Sequence, residues 1–73
     1  METLDLHTIL HEDAPGIIEN FIILNFLNLP IEIITGNSID MQYILKEITN
    51  KHNLRMAPSH SKNLGSYIIN KKL

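Results

Sequence analysis

An acid and an imidazole stand two residues apart near the start of the chain, in the stretch TLDLH at residues 3–7. Leucine alternates there with Asp5 and His7, and a period of two is typical of a strand with one apolar and one polar face. The leucines should face a core, and the two polar side chains should share the opposite face. Such a pair can act as a general base with its orienting group, or as a base beside a phosphate donor. The alternative is a solvated pair on an open sheet face.

A second stretch that could do chemistry is Thr35-Gly36-Asn37-Ser38, which follows an apolar run and precedes a helical pattern. Glycine lets a backbone approach a ligand closely, and the amides and dipole at a helix N-terminus favour an anion. We therefore predict that these four residues contact a phosphate group. The alternative is an ordinary turn between strand and helix, in which the serine only caps the helix.

His60 and Lys62 lie in a polar stretch that we interpret as a loop, and loops often carry binding residues. His7 and His11 have a spacing that makes a zinc pair only on a helix. Because that segment is not interpreted as a helix and the chain has no cysteine, no metal site is predicted. We expect no cofactor, and the alternative is a divalent metal ion.

The charges are divided unequally along the 73 residues, whose net charge is −2. Residues 1–45 carry seven acids and no Lys or Arg, whereas residues 46–73 carry six bases and one acid. Such a division favours a surface that binds polyanions. We therefore predict that Arg55, Lys62, Lys71 and Lys72 contact a polyanion. The alternative is that folding mixes the two halves, so that the bases only neutralise the acids.

The composition indicates one small domain held together by its core. Hydrophobic residues make up 44% of the chain, and a chain of this size buries about 60% of the surface that its unfolded form exposes. The absence of cysteine fits a reducing compartment, and the N-terminus lacks the apolar segment of a signal peptide, so we expect a cytoplasmic location. Acids, asparagines and a proline interrupt the most apolar stretch, residues 17–34, which argues against a membrane span.

Periodicity and turn residues predict the elements that would position these side chains. We predict a strand over 3–7, a helix over 14–28 capped by Asp13, and a strand over 31–35. A second helix follows, which is capped by Asn37 or Ser38 and fades at 50–53. We then predict a strand over 54–57 that stops at Pro58, a loop over 59–65 and a strand over 66–70. The last helix has the one-sided spacing of Met41, Ile44, Leu45 and Ile48.

The order β-α-β-α-β-β predicts a single α/β (α+β) domain over residues 1–73. A strand, a helix and a strand in one sheet imply a parallel pair, and the last two strands would make the four-stranded sheet mixed. Both helices should cover one face, which gives a two-layer sandwich with the other face open. Asp5, His7 and Glu32 should then face away from the helices, with Gly36 at the same end of the sheet.

The first predicted helix has more apolar residues than one core face needs. The residues expected to face the core are Ile17, Ile18, Phe21 and Leu24, with Leu27 or Ile22. Ile23 and Phe26 fall on the side of Glu19 instead. A wide core face is one explanation, and a surface for a second copy of the chain or for another protein is the other.

Three stretches in this order resemble the Smr (small MutS-related) domain family over nearly the whole chain. LDLH at 4–7 is similar to its opening motif, IITG at 33–36 to the first half of its T-G-x-G motif, and LGSYII at 64–69 to its closing strand. The resemblance implies a fold like the C-terminal domain of translation initiation factor three. It also implies binding of DNA or RNA, which several members nick or cleave, with Asp5, His7, Thr35 and Gly36 as the motif residues.

The sequence departs from that family pattern at Thr8, Asn37 and Ser38, where the family commonly has glycine, a basic residue and glycine. Losing the base and the second glycine weakens the approach of a phosphate to this turn, which leaves more of the binding to the loop and tail bases. The resemblance as a whole still predicts a nucleic-acid-binding domain with endonuclease activity. The alternatives are a catalytically inactive binding module, or a small interaction or inhibitor domain that uses the first helix, including a homodimer through Ile23 and Phe26.

Overall fold

The computed structural model describes residues 1–73, apart from the side chain of Asn63. In chain order the elements are β1 (Thr3–Asp5), α1 (Ala14–Leu24), a 3₁₀ turn (Phe26–Asn28), β2 (Ile31–Ile34), α2 (Ile39–Lys51), β3 (Leu54–His60) and β4 (Asn63–Lys71). The predicted element order and the α+β class are confirmed. Within the described residues, no helix is long and apolar enough to cross a membrane.

The four strands form one mixed sheet in the order β1-β2-β4-β3. β1 is parallel to β2, with Leu4 opposite Ile33. β4 lies between β2 and β3 and is antiparallel to both, with Ser66 opposite Ile34. Because β4 runs against β2, its first half lies at the end of the sheet where β2 leads into α2.

Both helices pack on one face of this sheet, as predicted. Along β2, Ile31 and Ile33 are fully buried, whereas Glu32 and Ile34 on the other face are only partly buried. The core is completed by Leu6 from the segment after β1, by Ala14, Ile18 and Ile22 from α1, by Met41 and Leu45 from α2, and by Leu54, Tyr67 and Ile69 from the later strands. Each fully buried Leu or Ile stabilises the fold by about 1.5–3 kcal/mol. A shift of one residue in the pairing of a strand would move these side chains out of the core, so their burial fixes the strand register.

Helix α1 is shorter than predicted, because it ends at Leu24 and the chain continues in the 3₁₀ turn. Asn25 leaves helical geometry, and its side-chain amide donates a hydrogen bond to the Phe21 carbonyl at 2.9 Å. The predicted core contribution of Leu24 is wrong, because its side chain is largely exposed, and of the two alternatives Leu27 and Ile22 it is Ile22 that is buried. Asp13 stands before α1 but forms no side-chain capping hydrogen bond, since its own backbone is already helical.

The predicted loop over 59–65 is wrong, because β3 and β4 form a long hairpin there. Pro58 does not stop β3, since β3 is an edge strand, where a missing N–H removes no essential ladder bond.

β1 is shorter than predicted and ends at Asp5, so that His7 lies in the turn after it. The start of α2 agrees with its prediction, with the Ser38 hydroxyl accepting a hydrogen bond from the Met41 amide at 3.1 Å.

Candidate active site

His7 is held by Asp5 through two hydrogen bonds to one carboxylate oxygen. The His7 backbone amide donates to Asp5 Oδ1 at 2.9 Å, and His7 Nδ1 lies 2.7 Å from the same atom. The His7 backbone amide, more than the ring, holds the pKa of the Asp5 carboxyl below its ordinary value. Because an ionised carboxylate can only accept, Nδ1 donates to Asp5, and in the neutral ring the lone pair is therefore on Nε2. The pair therefore presents a solvent-accessible base with a fixed tautomer.

The His7 ring lies against Gly36, at the end of the sheet where the sequence placed both residues. A Cβ atom on residue 36 would stand 2.9 Å from His7 Nε2 and 3.0 Å from its Cδ2. Gly36 also has a φ of +66°, in the left-handed region that glycine adopts without penalty. This glycine is thus required both by its own turn and by the position of the imidazole.

Thr35 and Gly36 have structural partners where the sequence predicted phosphate contacts. Their backbone amides both donate to the Gly65 carbonyl, at 2.9 and 3.0 Å, so the turn is attached to β4. Thr35 is buried, and its hydroxyl donates to the Gly36 carbonyl at 2.9 Å. Ser38 caps α2, which leaves Asn37 as the exposed side chain of this stretch.

Gln42 is a positioning residue that sequence reasoning missed. Its side-chain amide donates to the carbonyls of Gly36, at 3.3 Å, and Leu64, at 3.0 Å. These bonds join the turn before α2 to the start of β4. The sequence contains no signal for them, because a polar residue one turn into an amphipathic helix usually faces solvent.

An open cleft of about 400 Å³ lies on the free face of the sheet beside this turn. Its lining includes His7, Glu32, Ile34, Gly36, Asn37 and His60. The hairpin brings His60 to the cleft although 53 positions separate it from His7. Two imidazoles and a carboxylate therefore share one concave surface.

Glu32 has hydroxyl partners that the sequence analysis did not anticipate. Its Oε2 accepts a hydrogen bond from Ser66 Oγ at 2.7 Å, and its Oε1 accepts one from Thr3 Oγ1 at 3.4 Å. Ser59 Oγ lies 2.9 Å from Ser66 Oγ. The hydroxyls of Ser66, then Ser59 and Thr3, hold the pKa of the Glu32 carboxyl below its ordinary value. Glu32 is thus a fixed, ionised carboxylate in the wall of the cleft at neutral pH.

The C-terminal lysines lie at the other end of the sheet from this cleft. β4 continues for five residues from Ser66 to Lys71, a distance of about 17 Å in a strand. Lys71 Nζ stands 6.0 Å from the centre of the Phe26 ring, and Lys72 Nζ donates to Asn53 Oδ1 at 3.1 Å. Lys62, in the hairpin turn, is the predicted cation at the cleft end. The structure therefore does not bring the tail lysines to the Asp5–His7 pair.

Three bases gather instead along a groove between α2 and β3, which we call the basic groove. Lys46, Arg55 and Lys72 line it together with Tyr67, and its volume is about 330 Å³. An adjoining depression of about 410 Å³ shares Lys46 and Tyr67 and adds the exposed Tyr43. Among the described side chains, none of these three bases forms an ion pair with an acid. Cations beside an exposed aromatic ring are suited to a nucleic-acid strand.

Neutralisation of bases by acids is seen at Lys51 and not at the groove. Glu19 Oε2, on α1, accepts hydrogen bonds from Lys51 Nζ at 2.6 Å and from His52 Nε2 at 3.0 Å. Lys51 and then His52 hold the pKa of the Glu19 carboxyl below its ordinary value. Among the described side chains, the direct neutralisation that the alternative explanation expects is thus seen at Lys51.

The apolar residues that the sequence singled out on the first helix are exposed. Ile23 is 57% exposed and Phe26 is 39% exposed, and they are joined by Leu24 and Leu27. Of the two explanations left open, this exposure favours a surface for a partner over a wide core face. The described side chains contain no cluster of three or more His, Cys, Asp or Glu that could hold a metal ion.

Comparison of the chain with models of protein families, with curated proteins and with solved structures gave no match.

Proposed function

We propose that this protein is a divergent Smr-like domain that binds DNA or RNA and cleaves a phosphodiester bond in the cleft beside His7. The observation that carries this proposal is the 2.7 Å contact between His7 Nδ1 and Asp5. In this position the imidazole packs against Gly36, in the turn before α2. An oriented imidazole with a free Nε2 is a general base, and general acid–base catalysis typically contributes about 10²–10⁴-fold in rate.

In the proposed reaction, His7 Nε2 takes the proton of the attacking oxygen, which belongs to water or to a ribose 2′-hydroxyl. That oxygen bonds to phosphorus as the bond from phosphorus to the leaving oxygen breaks. The Asp5 carboxylate stabilises the imidazolium that forms on His7. In this proposal a protonated His60, which lines the same cleft, donates a proton to the leaving oxygen.

The phosphate under attack would lie between His7 and the N-terminus of α2. Asn37 supplies an exposed amide there, and the α2 dipole favours negative charge. The carboxylate of Asp40 in the first turn of α2 opposes this effect, so Lys62 and the basic groove must supply most of the attraction for a strand. A nucleic-acid substrate also favours a location in the cytoplasm.

Binding without cleavage is a second candidate, and a specific observation favours it. The amides of Thr35 and Gly36 donate to the Gly65 carbonyl and are not offered to a phosphate. Asn37 also supplies no positive charge at the position where the family motif commonly has a base. A domain of this kind would hold a strand through the basic groove and leave its backbone intact.

A third candidate is an interaction or inhibitor domain that docks through the exposed end of α1. Ile23 and Phe26 are the residues that would contact a second copy or another protein. A salt titration separates this candidate from the first two. Binding to nucleic acid loses affinity with a slope of about −0.9 per phosphate neutralised in a duplex, whereas apolar docking should hardly respond.

The test is a cleavage and binding assay of the pure protein on labelled single-stranded, duplex and branched DNA and RNA, with magnesium and with EDTA. His7→Asn, purified in the same way, guards against a contaminating nuclease. His52→Asn is the matched control, because His52 lies outside the cleft, in contact with Glu19. We expect wild type and His52→Asn to cleave at least one substrate and His7→Asn to bind it uncleaved. Equal cleavage by His7→Asn would contradict the proposed mechanism, and binding without cleavage by the wild type would favour the second candidate.

A further inference from the structure

Glu32 has no role in the proposed cleavage, yet it is held in the wall of the same cleft. We propose that the cleft is a recognition pocket for an unpaired guanine base of the bound strand, with Glu32 as the residue that determines this specificity. The inference rests on the proposed function, because it names the base that lies next to the phosphate at His7.

The first step is the orientation of the carboxylate. Ser66 Oγ fixes Oε2 at 2.7 Å, and Thr3 Oγ1 approaches Oε1 at 3.4 Å. A carboxylate has about four acceptor positions, so the hydroxyls of Ser66, Ser59 and Thr3 leave capacity for a further donor, and the long Thr3 contact leaves Oε1 the more open oxygen. Because Ser66 is itself buried in β4, Glu32 is held in place by the sheet and not by a mobile surface contact.

The second step is the match between an ionised carboxylate and the edge of a base. Guanine presents two adjacent donors on its Watson–Crick edge, N1–H and the N2 amino group, which fit two carboxylate oxygens. Adenine and cytosine each place an acceptor beside their single amino group, and in uracil and thymine the N3–H lies between two carbonyls. Acceptors that face a carboxylate are repelled, so the same group selects guanine and rejects the other bases.

The third step is the surface around the carboxylate. Ile34 gives the cleft an apolar floor for the face of a base, and the His60 ring stands in its wall. A volume of about 400 Å³ falls within the range of about 300–1,000 Å³ that is usual for small-molecule sites. Watson–Crick pairing occupies N1–H and N2 of guanine in a duplex, so the base must come from a loop, an end or a single strand.

The position of the pocket also predicts where the strand is cut. His7 and Glu32 line one cleft, so a guanine held by Glu32 places its own phosphates close to His7 Nε2. Without such a base, Glu32 and Asp5 put two negative charges beside the phosphate under attack. The N–H donors of guanine would bind the Glu32 carboxylate and reduce its repulsion of the phosphate. Recognition of guanine would therefore favour binding of the strand in the cleft.

The test uses fluorescence anisotropy with single strands of about eight nucleotides, a length within the usual site size of such domains. Four strands are identical except at one central position, which carries guanine, adenine, cytosine or uracil. A fifth strand has inosine at this position, whose base lacks the N2 amino group. Each is made with ribose and with deoxyribose. Glu32→Gln keeps an acceptor for Ser66 but replaces half of the carboxylate with a donor. Glu47→Gln is the matched control, because it removes one acidic charge from an exposed position of α2 outside the cleft.

We expect the guanine strand to bind roughly tenfold more tightly than the other three, with inosine in between, as one good pair of base contacts provides. Glu32→Gln should remove this preference and Glu47→Gln should keep it. Equal affinity for all strands, or a preference for another base, would overturn the guanine pocket while leaving nucleic-acid binding intact. Failure to bind any strand would overturn the proposed function together with the pocket.

Discussion

At the scale of single residues, the candidate site depends on the contact between the His7 ring and Gly36. The alternation in TLDLH predicted that Asp5 and His7 share a face, because the leucines must enter the core. It did not predict the ring against Gly36, since that contact depends on the turn after β1 and on the φ of +66° at Gly36. The hydroxyls around Glu32 were equally hidden, because they depend on the register of the β4 hairpin.

Gly36→Ala tests this contact. The left-handed backbone should cost an alanine about 1–2 kcal/mol of stability, and the new methyl group should displace the His7 ring from Asp5. We expect a lower urea midpoint, a changed NMR shift of the His7 ring and loss of cleavage. Gly16→Ala is the matched control, because a Cβ on Gly16 of α1 meets nothing within 4 Å. It should stabilise the fold by about 0.5–1 kcal/mol. An unmoved His7 ring in Gly36→Ala would contradict the proposed packing.

At the scale of elements, helix α1 shows how far periodicity reaches. The chain has apolar residues around nearly the whole wheel, so periodicity alone did not determine the buried face, and Ile22 was left as an alternative to Leu27. In the structure the helix ends at Leu24, which removes Leu27 from its face. The long hairpin of β3 and β4 was missed because the residues around its turn are polar, a composition typical of loops. These residues pair as strands because the rest of β3 and β4 pairs in the sheet.

The exposed end of α1 is tested by changing Ile23 and Phe26 together to Glu. Because both side chains are exposed, we expect the double variant to fold with a change in stability within about 1 kcal/mol. If the wild type forms a dimer through this surface, sedimentation should show a monomer for the variant. Ile22→Ala, one position away but fully buried, should instead cost about 2–5 kcal/mol. Unfolding of the double variant would show that these residues belong to the core.

The contact between α1 and α2 at Glu19 predicts a dependence of stability on pH. Lys51 and His52 lower the pKa of folded Glu19 below its ordinary value of 4.5, so this carboxylate stabilises the fold above pH 4.5. That contribution is lost as the pH falls through the folded pKa. In urea unfolding, the difference between wild type and Glu19→Gln should shrink between about pH 6 and about pH 3. Glu12→Gln, at an exposed position without a partner in the described structure, should show no such change. A constant difference for Glu19→Gln would contradict the ion pair.

At the scale of the whole molecule, folding sends the bases to different places: Lys46, Arg55 and Lys72 line the basic groove, whereas Lys51 pairs with Glu19. The element order and the patterning of β2 were sufficient to predict the two layers and the open face. They were not sufficient to place the bases: Lys46 was not chosen as a binding residue, and the distance of Lys71 and Lys72 from the Asp5–His7 pair was not predicted. The insertion of β4 between β2 and β3 sends the tail to the opposite end of the sheet.

The basic groove is tested by the salt dependence of binding. Changing both Lys46 and Arg55 to Gln should weaken binding to every strand and reduce the salt slope by about 1.4–1.8, or 0.7–0.9 for each lost phosphate contact. Lys51→Gln is the matched control, since the charge of Lys51 is already paired with Glu19. An unchanged slope in the double variant would place the strand elsewhere on the molecule.

The central claim is that His7, oriented by Asp5, performs base catalysis in the cleft. Asp5→Asn keeps the shape of the side chain and removes the charge that orients and stabilises the ring. Asp13→Asn is its matched control, because Asp13 is exposed before α1 and its side chain forms no capping hydrogen bond.

The most direct measurement is the single-turnover cleavage rate of wild type, Asp5→Asn and Asp13→Asn at saturating protein, with the affinity of each measured on the same strand. We predict that Asp5→Asn cleaves about 10²–10⁴-fold more slowly than the other two and binds as well or more tightly, because a negative charge near the phosphates is gone. Cleavage by Asp5→Asn at the wild-type rate would contradict the account.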